Sequence, residues 1–568
     1  MNKRMKAVAG PVAGISLFGL ALCGCHSGGS SGAASTAVVS PADQFQTSTP
    51  IKHLVVVFQE NVSFDHYFAT YPNALNPVGE PTFTAAAGTP VVNGLTASLL
   101  VNNPNSQNAK NGTGPNNPFR LDRIFSQAAT PDQNHAYPAE QGAFDNGAMD
   151  LFPFFTGSVN PTTQSPTNLV MGYYDGNTVT ALWNYAQHFA MSDNSYSTTF
   201  GPSTVGALNL VSGNTNGAVP ATGAVPAADG SYDEYKDANG NLAATLVPDG
   251  QKGFTDVDDD DPVGDACSSS GSGSFTFSMN GTNIGDLLNK SNVTWGWFQG
   301  GFDLTASNVN GTTGCARSTF SVVTNSTSKD YVPHHEAFQY YKSTQNLNHT
   351  RPTSVAVIGT SNDGGANHQY DLNDFYAALS ANNLPAVSFV KAPRIGQGHA
   401  GYSDPLDEQQ FLVTVVNNVM QSPNWNETAI VILYDDSDGW YDHAYNKSNI
   451  VNGSDLSKVG LSNYDRLADC ISVGAQLSNA AGVVQGRCGH GTRQPFLVIS
   501  PYAKTNYVDH TLTDQSSVIR FVEDNWLSGQ RIPGSFDNQA GSINNMFNFS
   551  QAPNTQALIL NTATGEPN

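Results

Sequence analysis

Positive charge is scarce in this chain. Its 568 residues hold 24 Lys and Arg against 46 Asp and Glu, for a formal net charge of −22, and charged residues of every kind make up 12%. The acidity therefore comes from missing cations more than from surplus carboxylates. A chain this poor in Lys and Arg has no electrostatic footprint for nucleic acid. Apolar runs long enough to span a bilayer are lacking, which excludes a membrane bundle. The 54 Gly and 31 Pro exclude a coiled coil. Also absent are an internal repeat, any CxxC or Cys/His spacing for a thiolate metal site, and the GxSxG elbow of an α/β-hydrolase. What remains is enough to build a core: 39% of residues are hydrophobic and 10% aromatic, so the chain is not a disordered one.

The N-terminus carries export signals. Lys3, Arg4 and Lys6 form a basic segment, and Ala7 to Leu22 is an apolar run of signal-peptide length. It leads into Leu22-Cys23-Gly24-Cys25, which is similar to a lipoprotein box with Cys25 as the lipid-carrying residue. Residues 1–24 are thus expected to be a signal peptide and 25–49 a flexible Ser/Gly/Ala/Thr-rich tether. Ordinary secretory cleavage is the alternative. Removal of residues 1–24 takes the formal charge from −22 to −25. The chain is read as exported from a bacterium: periplasmic, anchored at the outer membrane through Cys25, or secreted. Of the six cysteines, Cys267, Cys315, Cys470 and Cys488 lie outside the export segment. Oxidising compartments favour disulfides, and the shortest loops pair Cys267–Cys315 and Cys470–Cys488.

Short β-branched runs predict buried strands at His53–Phe58, Val293–Phe298, Ser354–Ile358, Ala386–Val390, Ala429–Tyr434 and Phe496–Ile499. Apolar spacings of three and four predict helices over Asp371–Ser380, Asp407–Met420 and Ser516–Trp526. Alternating strand and helix predicts an α/β fold with a mostly parallel central sheet flanked by helices. Pro81–Pro118 and Ala218–Ser274 read as loop-rich insertions. The acidic run Asp258–Asp261 lacks EF-hand spacing and reads as a solvated loop.

Ligands of such sheets bind beyond the carboxyl ends of the strands. Glu60 and Asn61 follow the first strand, Asp435 and Asp436 follow AIVILY, and His399 lies in the Gly-rich turn after the Ala386–Val390 strand. Three carboxylates and an amide oxygen would suit one hard or borderline divalent cation. Surface acids or helix caps are the bland alternative. His135 and the adjacent His334 and His335 join His399 as candidates to hydrogen-bond or protonate a bound group. Ser203 follows the Gly201-Pro202 break and opens an apolar helical pattern. It reads either as a helix N-cap or as a nucleophile in the positive potential of a helix N-terminus.

Taken in order, ENVSFDHYF, DQNHAY, FGPSTVGALN, VPHHEAFQYY, GHAGYSDP, YDDSDGWYDH and GTRQPFLVISPYAK resemble the bacterial phosphoesterase family of secreted acid phosphatases and phospholipases C. That family belongs to the alkaline-phosphatase-like superfamily. The resemblance spans residues 50–530, expected as the catalytic domain, with 531–568 as a C-terminal extension. It implies Ser203 as nucleophile, Glu60, Asn61, Asp435 and Asp436 as ligands of one divalent metal ion (zinc and calcium among the candidates), and His135, His334, His335 and His399 around the phosphate. Val62 stands where the family motif carries a basic residue. The expected reaction is attack of Ser203 on phosphorus, then hydrolysis of the phosphoserine by water. A Ser nucleophile and the GPSTVGALN and PHHEAFQYY runs look like the acid phosphatase branch, acting on phosphomonoesters. A phospholipase C cleaving at a phospholipid headgroup is the alternative, and a non-catalytic surface lipoprotein a further one. The formylglycine context of a sulfatase is absent. With so few cations, phosphate recognition is expected to use metal, histidine and a helix N-terminus rather than an arginine clamp.

Overall fold

The strands at the centre are apolar on both faces. In the computed structural model, His53–Gln59 and Thr428–Tyr434 are buried along their whole length. Such runs belong in a parallel sheet covered on both sides. The structure describes residues 40–159, 167–221, 254–269, 275–446 and 490–568, together with short strands at 224–226, 232–235 and 246–248. The signal segment, Cys25 and the Cys470–Cys488 pair lie outside these residues.

The main sheet has eight strands. They are β1 (His53–Gln59), β2 (Ala190–Ser192), β3 (Trp295–Gln299), β4 (Gln369–Asp371), β5 (Val387–Lys391), β6 (Thr428–Tyr434), β7 (Phe496–Ile499) and β8 (Tyr507–Asp509). Their spatial order is β4-β3-β5-β1-β6-β7-β2-β8. Neighbours run parallel except at β7, which is antiparallel to both β6 and β2. The sheet is therefore mixed but mostly parallel.

Strand side chains alternate between two cores, as a period of two requires. Leu54, Val56, Val431, Leu433 and Val498 face one side. There they meet Leu208 and Val211 of helix α3 (Ser203–Ser212) and Val518 and Val522 of α6 (Ser516–Trp526). Val55, Val57, Ile430, Ile432 and Leu497 face the other side. They pack on Trp183 of α2 (Thr180–His188), Phe375 of α4 (Leu372–Ser380) and Leu412 and Val416 of α5 (Pro405–Met420). A short helix α1 (Phe64–Phe68) follows β1. Asp371 caps α4 through the Asn373 amide, and Asp404 caps α5 through the Leu406 and Asp407 amides, with Pro405 at its first position. That cap starts α5 earlier than its apolar spacing alone predicts.

Several expectations change. Ser354–Ile358 is no strand: Val355–Val357 is a 3-10 turn. The slot beside β3 is taken by Gln369–Asp371 instead. Among its described residues, the second insertion contributes strands as well as loops. Its residues contribute to a five-stranded sheet that includes Asn216–Pro220, Phe254–Asp256 and Thr276–Met279. The acidic run is no solvated loop either, since Asp260 and Asp261 are buried. Cys267 and Cys315 are bonded to each other, 48 residues apart in sequence. Val39–Asn568 form one compact unit. Ala42 is buried in one core, and Leu560, beyond the main family motifs, is buried in the other. Among the described residues, no helix is long and apolar enough to cross a membrane.

One buried acid beneath the sheet has a measurable consequence. Glu408 on α5 accepts hydrogen bonds from the hydroxyls of Tyr67 at 2.6 Å and Tyr434 at 2.7 Å. Burial pushes its carboxyl up to about 7, against hydrogen bonds from Tyr67 and Tyr434 that act downward. The folded value lies above the ordinary 4.5 of a free glutamate. The neutral form is therefore favoured in the fold, and this contribution to stability is full below the unfolded pKa and is lost as pH rises through about 7. Glu408→Gln should flatten the pH dependence of unfolding across that window by up to about 3 kcal/mol. Denaturant melts of both proteins at mildly acidic and neutral pH check this, and parallel pH profiles would exclude it.

Candidate active site

Register brings the acids together. β1 and β6 pair in parallel with Gln59 opposite Tyr434, so Glu60 and Asp435 leave the sheet side by side. β5 lies on the other flank of β1, with Val57 opposite Val390, which sets Lys391 beside Phe58. All of this occurs at the carboxyl end of the sheet, where α/β sheets bind ligands.

The chain turns sharply after β1. Asn61 adopts a left-handed φ of 62°, which asparagine tolerates. Its amide donates to Asp435 Oδ1 at 2.9 Å, and the Asp436 amide donates to the same oxygen at 2.7 Å. Asp436 Oδ1 accepts the Asp438 amide at 2.6 Å. Burial pushes the carboxyls of Glu60 and Asp436 well up, and in each case the charge of Asp435 adds to the rise.

Ser203 is the first residue of α3, and Pro202 occupies the cap position. The Ser203 hydroxyl caps nothing. It lies 3.0 Å from Glu60 Oε2, 3.2 Å from Asp436 Oδ2 and 3.4 Å from Asn61 Oδ1. A hydroxyl has one proton, so it satisfies one of these acceptors at a time. Three oxygens converging on a hydroxyl make a cation-type ligand shell. Behind it, Asp435 Oδ2 is buried without a hydrogen-bond partner. Gly206, one turn into α3, permits the approach. A Cβ there would stand 2.2 Å from the Asp435 carbonyl oxygen.

Glu140 ties the parts together. Its Oε2 accepts the Gly201 amide at 2.9 Å, and its Oε1 accepts the Ser437 hydroxyl. The turn before Ser203 and the loop after β6 are thereby fixed to one carboxylate. The acidic run contributes too: Asp259 Oδ1 accepts the Thr204 amide at 2.8 Å, an acid at a helix N-terminus.

The imidazoles divide. His335 Nδ1 lies 3.2 Å from Glu60 Oε1, whereas His334 Nδ1 lies 3.1 Å from Asp261 Oδ1. The adjacent pair thus serves different acids from a 3-10 turn. His135 Nδ1 is 3.1 Å from Asp438 Oδ1, and its ring stands 5.5 Å from that of His399. Burial holds His335 and His399 well below the usual imidazole range. Burial acts the same way on His135, but Asp436 and Asp438 outweigh it and raise that imidazole well above the range.

With this geometry in hand, the comparisons decide the family. The model of the Phosphoesterase family matches residues 51–527. The chain belongs to the Phosphoesterase family. Its relatives include a non-hemolytic phospholipase C of Pseudomonas aeruginosa, 22% identical over 89% of this chain and 58% of that protein. A hemolytic phospholipase C of the same organism is 22% identical over 91% of this chain and 58% of that protein. Phospholipase C A of Mycobacterium tuberculosis is 26% identical over 32% of this chain and 33% of that protein. The chain thus spans 58% of the length of the two Pseudomonas relatives. A solved protein of the alkaline phosphatase superfamily from Vibrio parahaemolyticus overlays with 12% identity and a TM-score of 0.25, covering 76% of this chain and 78% of that one.

The donor set of this phosphoesterase fits a divalent cation. Glu60, Asn61 and Asp436 present oxygens around Ser203, and the orphaned oxygen of Asp435 stands beside them. Other groups of ligand-type side chains also cluster. Asp132, His135 and His399 border the same region. Asp265, Cys267 and His349 form a second group, but Cys267 is disulfide-bonded. Asp65, Asp442 and His443 form a third, and Arg493 sits 3.1 Å from Asp65 and 3.2 Å from Asp442.

Sequence reasoning missed Lys391. It is fully buried, its ammonium contacts Glu60 Oε1, and it lies 3.7 Å from Asp435 Oδ2. Its Nζ rests 4.3 Å from the centre of the Phe58 ring. The signal was available, since a lysine ending a strand of apolar residues needs a buried partner. Glu140 had no such signal.

Gly206→Ala should force α3 away from the Asp435 carbonyl and cost about 1–3 kcal/mol of stability. Thermal unfolding of the variant checks this, and an unchanged melting temperature would disprove the close approach.

Proposed function

We propose that this phosphoesterase hydrolyses phosphoric esters, with phosphomonoesters as substrates and a phosphoserine as intermediate. One observation carries the reading: the Ser203 hydroxyl sits at a helix N-terminus, turned out of its capping role and into a ring of oxygen ligands. The Ser203 amide at the start of α3 would bind a phosphate oxygen beside it, since Asp259 and the Pro202 carbonyl hold the Thr204 and Val205 amides. A divalent cation held by Glu60, Asn61, Asp435 and Asp436 would neutralise these acids and lower the pKa of the hydroxyl next to it. Ser203 then attacks phosphorus as the ester oxygen leaves. His135, whose proton is favoured by the neighbouring Asp436 and Asp438, would hydrogen-bond the phosphoryl oxygens or protonate the leaving group. His335 and His399, held neutral by burial, are placed to donate or accept one hydrogen bond each. Water hydrolyses the phosphoserine and regenerates the hydroxyl.

The GPSTVGALN and PHHEAFQYY runs favour monoesters. The names of the relatives favour the second reading, a phospholipase C acting on phosphodiesters. We place the protein outside the bacterial cytoplasm, after removal of residues 1–24, with Cys25 as the attachment point. Residues 50–530 would form the catalytic domain.

Nitrophenyl phosphate and nitrophenyl phosphorylcholine, assayed across pH with and without chelator, separate these readings. We expect faster turnover of the monoester, loss of activity after chelation, and recovery on adding back a divalent ion. Ser203→Ala should lower kcat on the order of 10³-fold or more. Preference for the choline ester would establish the phospholipase reading. Absence of turnover on both would point to a non-catalytic lipoprotein.

A further inference from the structure

We propose that Arg394 is a specificity residue that binds an oxygen of a dianionic phosphoryl group and selects monoesters against choline-type diesters. The inference rests on the hydrolase reading above and adds the substrate class. It departs from the expectation that phosphate recognition uses no arginine clamp.

Arg394 opens the 3-10 turn Arg394–Gly396, shortly after Lys391 ends β5. Its guanidinium carbon lies 3.9 Å from the centre of the Tyr402 ring. The Tyr402 ring is in turn 4.1 Å from that of His399, and His399 is 5.5 Å from His135. A chain of ring contacts therefore runs from Arg394 over Tyr402 to His399, which meets edge-on the His135 ring beside Asn61 and Asp438. Tyr402 also donates a hydrogen bond to Gln397 at 3.3 Å, which fixes the plate on which Arg394 rests. Arg394 lies near enough to His334, His335 and His399 for its positive charge to disfavour their protonation.

The missing partner is the informative feature. Arg120, Arg317, Arg351, Arg493, Arg520 and Arg531 each have a carboxylate within ion-pair distance. Arg123 donates to the carbonyls of Asn177 and Ala563. Among the described residues, Arg394 has no such carboxylate, and its Nε is buried without a hydrogen-bond partner. In a chain with 46 acids and 24 Lys and Arg, an arginine without a carboxylate is not explained by want of acids. A guanidinium held by stacking, with its Nε donor unspent and no carboxylate paired to it, suits an anion that arrives from outside.

The chemistry of that anion follows from its place. A phosphomonoester dianion has an additional anionic oxygen to offer once the Ser203 hydroxyl and amide are engaged. A phosphodiester carries one negative charge, and a choline headgroup adds a cation that a guanidinium repels. Arg394 should therefore strengthen binding of monoesters and of inorganic phosphate, the product.

The test uses the full exported protein with its metal, as Arg394→Gln and Arg394→Lys. Arg394 is partly exposed, and matched melting temperatures confirm that both variants fold. For Gln, KM for nitrophenyl phosphate and the inhibition constant for inorganic phosphate should rise about tenfold or more, the range for a hydrogen bond to a charged group. kcat should change less, and kcat/KM for nitrophenyl phosphorylcholine should hold or improve. Lys should recover part of the loss. Equal losses on both esters, or an unchanged inhibition constant, would overturn the proposal. If the wild type hydrolyses neither ester, the hydrolase reading fails by itself. Calorimetric binding of inorganic phosphate to wild type and Arg394→Gln then still decides the role of Arg394.

Discussion

Packing several carboxylates at one end of a sheet is the constraint around which this molecule is organised. Glu60, Asp435, Asp436 and Asp438 are all buried at the ends of β1 and β6. Buried like charges repel strongly and must be neutralised, hydrogen-bonded or protonated. The structure shows the first two of these remedies. Backbone amides of Asn61, Asp436 and Asp438 take some of the oxygens, and Lys391 supplies a buried cation against Glu60. The oxygens left over are those that surround Ser203, and a divalent ion is the remedy suited to them.

Rigidity around the acids is built from a few long-range ties. Glu140 joins the turn before Ser203 to the loop after β6. Arg493, fully buried, binds Asp65 from the segment after β1 and Asp442 from the segment after β6. It also donates to the carbonyls of Asn93 and Asp193 at 2.7 and 2.9 Å. A buried pair of this kind is weak evidence for stability, but breaking it leaves uncompensated charge. Its evident effect is to hold the loops of two neighbouring strands in one arrangement.

The scarcity of cations acquires a meaning from these placements. With a formal charge of −22, the surface as a whole should repel phosphorylated molecules at neutral pH. Of the positive groups in this region, Lys391 is committed to the acids, while Arg394 rests on Tyr402 and, among the described residues, has no carboxylate within ion-pair distance. Protonation of carboxylates in mild acid would weaken the general repulsion and leave the local cations in place.

Much of the architecture was legible in the chain itself. HLVVVF and AIVILY are apolar on both faces, and this alone makes them central parallel strands. The apolar spacing of SSVIRFVEDNW matched α6 to its ends. Strands as short as Ala190–Ser192, Gln369–Asp371 and Tyr507–Asp509 escaped, because three residues carry no readable period. The same gap made Ser354–Ile358 look like a strand when its edge position belonged to another segment. The acids at the strand ends were visible as a pattern, and strand-end logic explains why. Tertiary structure alone decided what that pattern does locally. Register set Glu60 beside Asp435, helix placement turned the Ser203 hydroxyl away from capping, and stacking on Tyr402 carried Arg394 toward the imidazoles. These relations join residues far apart in the chain, and such contacts arise from packing, which no local periodicity encodes.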